Sequence, residues 1–235
     1  MDIKEYWNDI DSRLQTLVEN GVVKLPTLNQ FNLEYLANEI LEEMGQLTFK
    51  ELGLKHKSFL DDLLVDQYLT PKLFDIARDV FNFKGDISSQ YHVARKVEPG
   101  NSKEMFRAHF DSHLFTMVLP IKIPKANKGG TAGELIYFTN ARRPPKGEIS
   151  NIIGKAYHKK YASKEGLETY SLSCQKNVED FRDNQPLVFV GNTTLHTNYP
   201  VSFDCSSYRL TLLAHFFDSS PKYGIGSLLR ILRNR

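Results

Sequence analysis

The chain has 235 residues, a formal net charge of +2, 41% hydrophobic and 25% charged residues. That balance predicts one domain with its own core and excludes a fibrous, low-complexity or disulfide-stapled chain. No run of about 18 apolar residues occurs and the opening MDIKEYWNDIDSRL is too polar for a secretory signal, so a cytoplasmic protein with Cys174 and Cys205 as free thiols is expected.

The first third reads as helical. Ile3, Trp7, Ile10, Leu14, Leu17 and Val18 recur at helical spacing and predict a helix ended by Gly21. VVKLP then predicts a short strand stopped by Pro26. A second helix is expected from about Gln30 to Met44, with Phe31, Leu36, Ile40 and Met44 as its apolar stripe. Two further helices are expected over 57–69 and from Pro71 to Phe81, where the proline suits a first turn. After Gly85 the pattern changes. Strand-like runs fall at 87–98, 107–123, 133–139, 186–190 and 208–217, each bounded by Pro, Gly or Asn clusters, and 146–166 interrupts them as a partly helical stretch.

Helices first and strands after predict an α+β chain with a mainly β core, a sandwich of two antiparallel sheets braced by N-terminal helices. The expected organisation is a helical part over 1–84, a β core over 85–218 and a basic amphipathic tail over 219–235. In the tail, Ile225, Leu228, Leu229 and Leu232 share a helical face beside Arg230, Arg233 and Arg235. Such a tail packs on its own domain or lies on an anionic membrane surface.

Charge is unevenly spread. Between 141 and 164, Arg142, Arg143, Lys146, Lys155, Lys159, Lys160 and Lys164 face Glu148 alone. Concentrated basic charge predicts either an anionic partner or a solvated loop.

The chemistry-bearing pattern is His109-Phe110-Asp111, His196 and Arg209. On a strand, side chains alternate, so His109 and Asp111 share a face and can hold one metal without strain. His196 follows a second strand-like segment. Two imidazoles and a carboxylate that leave one side open suit non-haem iron(II). Arg209 and Thr211 share a face of the last strand, and an arginine fork binds a carboxylate through two parallel charge-assisted bonds. His113, with the parity of His109, and His215, with that of Arg209, are candidates for substrate contact or for support of the ligands, as are Arg95, Arg142 and Arg143. His92 and His158 give no basis for a site. The cysteines lack ligand-like spacing to any histidine, which speaks against zinc, and Tyr157 and Tyr161 are too little aromatic interleaving for nucleic acid.

These residues, with GVVKLP, VARKVEPG, GELIYFTNARR, VFVGNTTLHTNYP and YRLTLLAHFFD around them, resemble the Fe(II)/2-oxoglutarate-dependent dioxygenases, particularly their phytanoyl-CoA hydroxylase-like branch. The resemblance implies a double-stranded β-helix, a jelly-roll variant. It implies iron held by His109, Asp111 and His196, 2-oxoglutarate held by Arg209 with Thr211, and O2 as second co-substrate. The carboxylate of Asp111 favours hydroxylation over halogenation. An anionic substrate is expected from the basic stretch: a sugar acid, an acidic glycolipid as in the related Kdo hydroxylase group, or an acyl thioester. Two other classes stay open, a cupin-type metal enzyme without 2-oxoacid and a non-catalytic jelly roll that binds carbohydrate or a partner.

Overall fold

Strand β9 (Arg209–Asp218) shows how the sequence sorts its two faces. Leu210, Leu212, Ala214 and Phe216 join one buried cluster with helix residues such as Ile10, Leu14, Leu36, Ile40 and Leu73. The alternate positions Arg209, Thr211, Leu213 and His215 point the other way, as the two-residue period of a strand requires. The chain is seen here as a computed structural model that describes residues 3–29, 31–51, 57–101 and 105–219; the expected tail lies outside them apart from Ser219.

Two antiparallel sheets form. The larger runs in the order β1 (Val22–Lys24), β7 (Leu187–Val190), β4 (His113–Lys122), β9, β3 (Gln90–Val97) and β2 (Phe49–Glu51). The smaller places β5 (Leu135–Phe138) between β6 (Asn177–Glu179) and β8 (Leu195–Asn198). Between them, Val118, Leu187, Phe189 and Leu213 of the large sheet pack with Leu135 and Tyr137 of the small one around Phe181. Edge strands β1 and β2 come from the helical first part, so the large sheet draws on both parts of the chain.

Several expected helices are shorter than their apolar stripes. The first divides into α1 (Ile3–Tyr6) and α2 (Ile10–Asn20), which closes on Gly21 in the left-handed conformation. The second starts at Leu33, capped by Asn32, as α3 (Leu33–Met44). The 57–69 segment divides into α4 (Lys57–Asp62) and α5 (Val65–Tyr68) because Leu64 takes a left-handed φ of 52°. The freed carbonyl of Leu63 accepts the Trp7 indole N–H at 2.7 Å, so a buried tertiary bond replaces a helical one. Then come α6 (Thr70–Asp79), α7 (Glu148–His158), a 3-10 turn at Lys159–Tyr161 and α8 (Lys164–Ser171). Tyr170 and Leu167 of α8 cover the outer face of the small sheet at Ile136, Phe138 and Leu195. Cys174 and Cys205 are both free. No helix among the described residues is long and apolar enough to cross a membrane.

Candidate metal centre

The segment expected as one strand over 107–123 is two pieces. β4 begins only at His113, and the His-Phe-Asp run before it pairs with the other sheet. His109 and His196 exchange both backbone bonds at 3.1 Å, so they sit directly opposite one another with ring centroids 4.4 Å apart. Two residues on, the Asp111 amide donates to the Gly191 carbonyl at 3.0 Å, in the turn between β7 and β8. The chain thus steps from the small sheet to the large one through Asp111, which places its carboxylate between the sheets.

The expected ligands meet. One donor atom each from His109, Asp111 and His196 lies within 4.8 Å of the others. Nε2 of His109 is 3.7 Å from Asp111 Oδ1, and Nε2 of His196 is 3.7 Å from Oδ2. The opposite ring nitrogens are engaged: His109 Nδ1 with the Arg107 carbonyl at 2.8 Å and His196 Nδ1 with the Thr194 carbonyl at 3.1 Å. Those bonds place the proton on Nδ1 and leave both Nε2 lone pairs free for a metal. Burial lowers the affinity of both imidazoles for a proton. Burial alone would raise the Asp111 carboxyl; His196, His215, His109 and the Thr116 hydroxyl outweigh it and hold the group well below the usual carboxylate range. The set is therefore two neutral imidazoles and one carboxylate at neutral pH.

Exposure is uneven. The His109 side chain is 50% exposed, whereas Asp111 and His196 are at 9% and 10%. The centre opens on the His109 side. His196 is backed by the Phe189 ring at 4.8 Å.

Behind Asp111 the structure adds a support that sequence reading missed. Thr116 donates to Asp111 Oδ2 at 2.5 Å and lies 3.0 Å from His215 Nδ1. His215 stacks on His113 at 5.2 Å and on Tyr91 at 6.0 Å. His215 thus sits beside the carboxylate ligand, its Nδ1 3.7 Å from Asp111 Oδ2, and His113 packs behind it on the His215 ring. Thr116 carries no signal in the sequence beyond strand parity; only its pairing with His215 across β4 and β9 reveals it.

Arg209 and Thr211 are 3% and 1% exposed. Burial, and then the Arg95 cation, push the Arg209 guanidinium down to about 9, against the weaker pull of Glu134. Among the described residues no carboxylate forms an ion pair with it, and the buried Thr211 hydroxyl has no hydrogen-bond partner. A buried cation beside an unsatisfied hydroxyl calls for an anion with oxygen acceptors. Arg95 stands directly opposite Thr211 on β3. Its charge also reaches His109 and His196, so it lies electrostatically between the ligand cluster and Arg209.

The basic stretch divides its roles. Arg142 donates from Nε to the Asn192 carbonyl at 2.7 Å and from Nη2 to Asn151 Oδ1 at 2.8 Å, with its guanidinium 4.0 Å over the Phe110 ring. It ties α7 to the turn before β8 and to the middle of the His-Phe-Asp run. Arg143 is exposed. Helix α7 turns Ile149, Ile153 and Tyr157 outward and sets Asn151, Ile152, Lys155 and His158 partly inside, so its inward face is mixed rather than apolar. His158, which offers no basis for a site in the sequence, packs edge-on against Phe110 at 4.9 Å.

No family model matches the chain and no curated protein matches its sequence. Solved structures do match. The chain is similar to a prolyl 4-hydroxylase from Phytophthora capsici, at 12% identity and a TM-score of 0.58 over 99% of this chain and 73% of that one. It is similar to a prolyl-4-hydroxylase from Pseudomonas putida, at 13% identity and 0.53 over 89% and 98%. A third likeness is to SnoK, a non-haem α-ketoglutarate-dependent carbocyclase from nogalamycin biosynthesis, at 12% identity and 0.52 over 93% and 90%. At such identities the likeness establishes the fold. The chain shares that fold with these enzymes and brings His109, Asp111 and His196 together within it.

Proposed function

We propose that the protein is an Fe(II)- and 2-oxoglutarate-dependent dioxygenase that hydroxylates an unactivated C–H bond of a small organic substrate. The observation that carries this is the pairing of two features on one fold. A His-Asp-His cluster is set to hold a metal, and Arg209 with Thr211, buried on the adjoining strand, are set to hold a carboxylate. We further infer that the two sheets form a double-stranded β-helix of the phytanoyl-CoA hydroxylase-like branch and that the chain is one cytoplasmic domain.

In this reading His109, Asp111 and His196 hold iron(II), and Arg209 with Thr211 holds the distal carboxylate of 2-oxoglutarate. When bound, the metal and the 2-oxoacid supply oxygen activation and hydrogen abstraction, with succinate and CO2 as co-products. The protein's part is positioning and shielding. Nδ1 bonds to Arg107 and Thr194 fix the two imidazoles, Thr116 fixes the carboxylate, and Phe189 excludes water behind His196. The open His109 side admits the substrate. A metal enzyme with no 2-oxoacid would leave Arg209 and Thr211 buried to no purpose, and a non-catalytic binder would not need three converging ligands. The sugar acid, glycolipid and acyl classes all remain within the proposal.

The test is anaerobic addition of iron(II) and 2-oxoglutarate to the purified protein. The weak visible charge-transfer band of a chelated 2-oxoacid is expected, and it should vanish in Asp111→Ala. Succinate release should then rise with a suitable acidic sugar or acyl compound. Metal binding without the band would favour the cupin-type alternative.

A further inference from the structure

Helix α7 presents an apolar stripe to solvent. Ile149, Ile153 and Tyr157, spaced four residues apart, are 66%, 63% and 59% exposed, and Ala156 lies exposed beside them. No residue of this helix is fully buried. A contiguous apolar face left in water is unfavourable until something covers it. Exposed cations edge the stripe: Arg143 and Lys146 before the helix, Lys159, Lys160 and Lys164 after it. The Lys160 ammonium rests 3.9 Å over the Tyr157 ring, which carries positive charge onto the stripe itself. Between 141 and 164 the one acid is Glu148, and it is partly buried.

We propose that this face docks the protein on an anionic lipid surface. Ile149, Ile153 and Tyr157 enter the boundary between headgroups and acyl chains, while the flanking cations stay at the level of the phosphates. Charge selects this cover over the others. A second copy related by a two-fold axis would set like cations against like. Residues 220–235 carry Lys222, Arg230, Arg233 and Arg235 and no acid, so charge opposes them as well. Protein interfaces are depleted in lysine, whereas interfacial helices keep lysine beside aliphatic and aromatic side chains. The docking stands on this surface alone; its meaning for the substrate rests on the oxygenase reading. Ala156 and Lys159, both exposed, also line a cavity of about 250 Å³ together with His109 and Phe110, so the cavity opens at the edge of the stripe. Docking brings that mouth to the headgroups, where a lipid-borne substrate is presented to the His109 side of the centre.

The experiment sediments the full-length metal-free protein with two kinds of vesicle, phosphatidylcholine alone and phosphatidylcholine with phosphatidylglycerol in equal parts. Binding is expected to the mixed vesicles and not to the neutral ones, and it should weaken as salt rises. Ile153→Ser should weaken it about tenfold, and the double change with Ile149→Ser about a hundredfold, from lost burial of aliphatic area. Lys146→Gln and Lys159→Gln should each weaken it about fivefold. Tyr35→Ser is the control: it removes a similarly exposed ring from α3, which packs with the helices behind the large sheet, and should change nothing. Every substituted side chain is exposed, and circular dichroism checks that each variant folds. Equal sedimentation with both vesicles, or binding indifferent to both isoleucines, overturns the proposal. Binding to neither vesicle overturns it too and assigns the stripe to a protein partner. A wild-type dimer in light scattering that Ile153→Asp splits would overturn it in favour of a second copy. The charge-transfer band of 2-oxoglutarate is read separately, so failure of docking leaves the oxygenase reading standing, and absence of the band leaves the docking standing.

Discussion

Thr116 Oγ1 donates to Asp111 Oδ2 at 2.5 Å and accepts from His215 Nδ1 at 3.0 Å, so one hydroxyl orients the carboxylate ligand from behind. Thr116→Val removes the hydroxyl and keeps the volume at a buried position. The carboxylate then loses its fixed rotamer, and iron(II) affinity should fall by about 10- to 100-fold. Thr116→Ser should hold within about threefold of wild type. Competition against a chelator of known affinity measures both, with the circular dichroism spectrum as the check on folding. An unchanged affinity in Thr116→Val would show that Asp111 needs no such support.

Arg209 is a buried cation without an ion-pair partner among the described residues, so its presence opposes folding until an anion arrives. Arg209→Met should therefore raise the Tm of the ligand-free protein by roughly 2 °C or more. The same change should weaken 2-oxoglutarate by about 30-fold or more, the consequence of removing one side of a buried charge pair. Thermal melts with and without 2-oxoglutarate read both effects. A variant that loses stability as well as binding would mean that the guanidinium serves the fold.

Gly133 shapes the same pocket. Its φ is +82°, and a Cβ there would stand 2.7 Å from Arg209 Cδ. Gly133→Ala should push the guanidinium aside and raise KM for 2-oxoglutarate about tenfold with kcat little altered. Gly129 is the control, because at φ +88° it has nothing within 4 Å of the added methyl. Gly129→Ala carries the same backbone strain, of order 1 kcal/mol, without the displacement. Equal KM values in the two variants would leave strain as the whole effect.

The sequence made the ligand set legible because strand parity is a strict rule: two residues apart means one face, for His109 with Asp111 and for Arg209 with Thr211. What it concealed is which sheet each strand joins. The run 107–123 keeps strand character throughout, yet His109 pairs with β8 and His113 onward with β7 and β9, a change of partner that periodicity cannot register. Three-residue strands such as β2 and β6 are too short to alternate. The inward face of α7 was concealed for another reason. Amphipathic reasoning buries the Ile149–Ile153–Tyr157 stripe, and here the opposite face turns inward because Arg142 pins α7 by its polar side.

That clamp carries the last prediction. Arg142 is held by the Asn192 carbonyl, by Asn151 and by the Phe110 ring, and burial lowers its proton affinity to about 10. A guanidinium so engaged has donors committed to the protein, which distinguishes it from a free counter-ion for substrate. The two roles separate under Arg142→Lys. A point charge retains attraction to an anion but cannot span Asn192 and Asn151 with one planar fork. If Arg142 is a clamp, amide hydrogen exchange across α7 should quicken in Arg142→Lys almost as much as in Arg142→Gln, by about tenfold or more for the loss of two partly buried bonds. Iron(II) affinity should change little, because the Nε2 atoms of His109 and His196 are fixed from their own backbones. Exchange in α7 that stays at the wild-type rate in both variants would show that the guanidinium does not hold the helix.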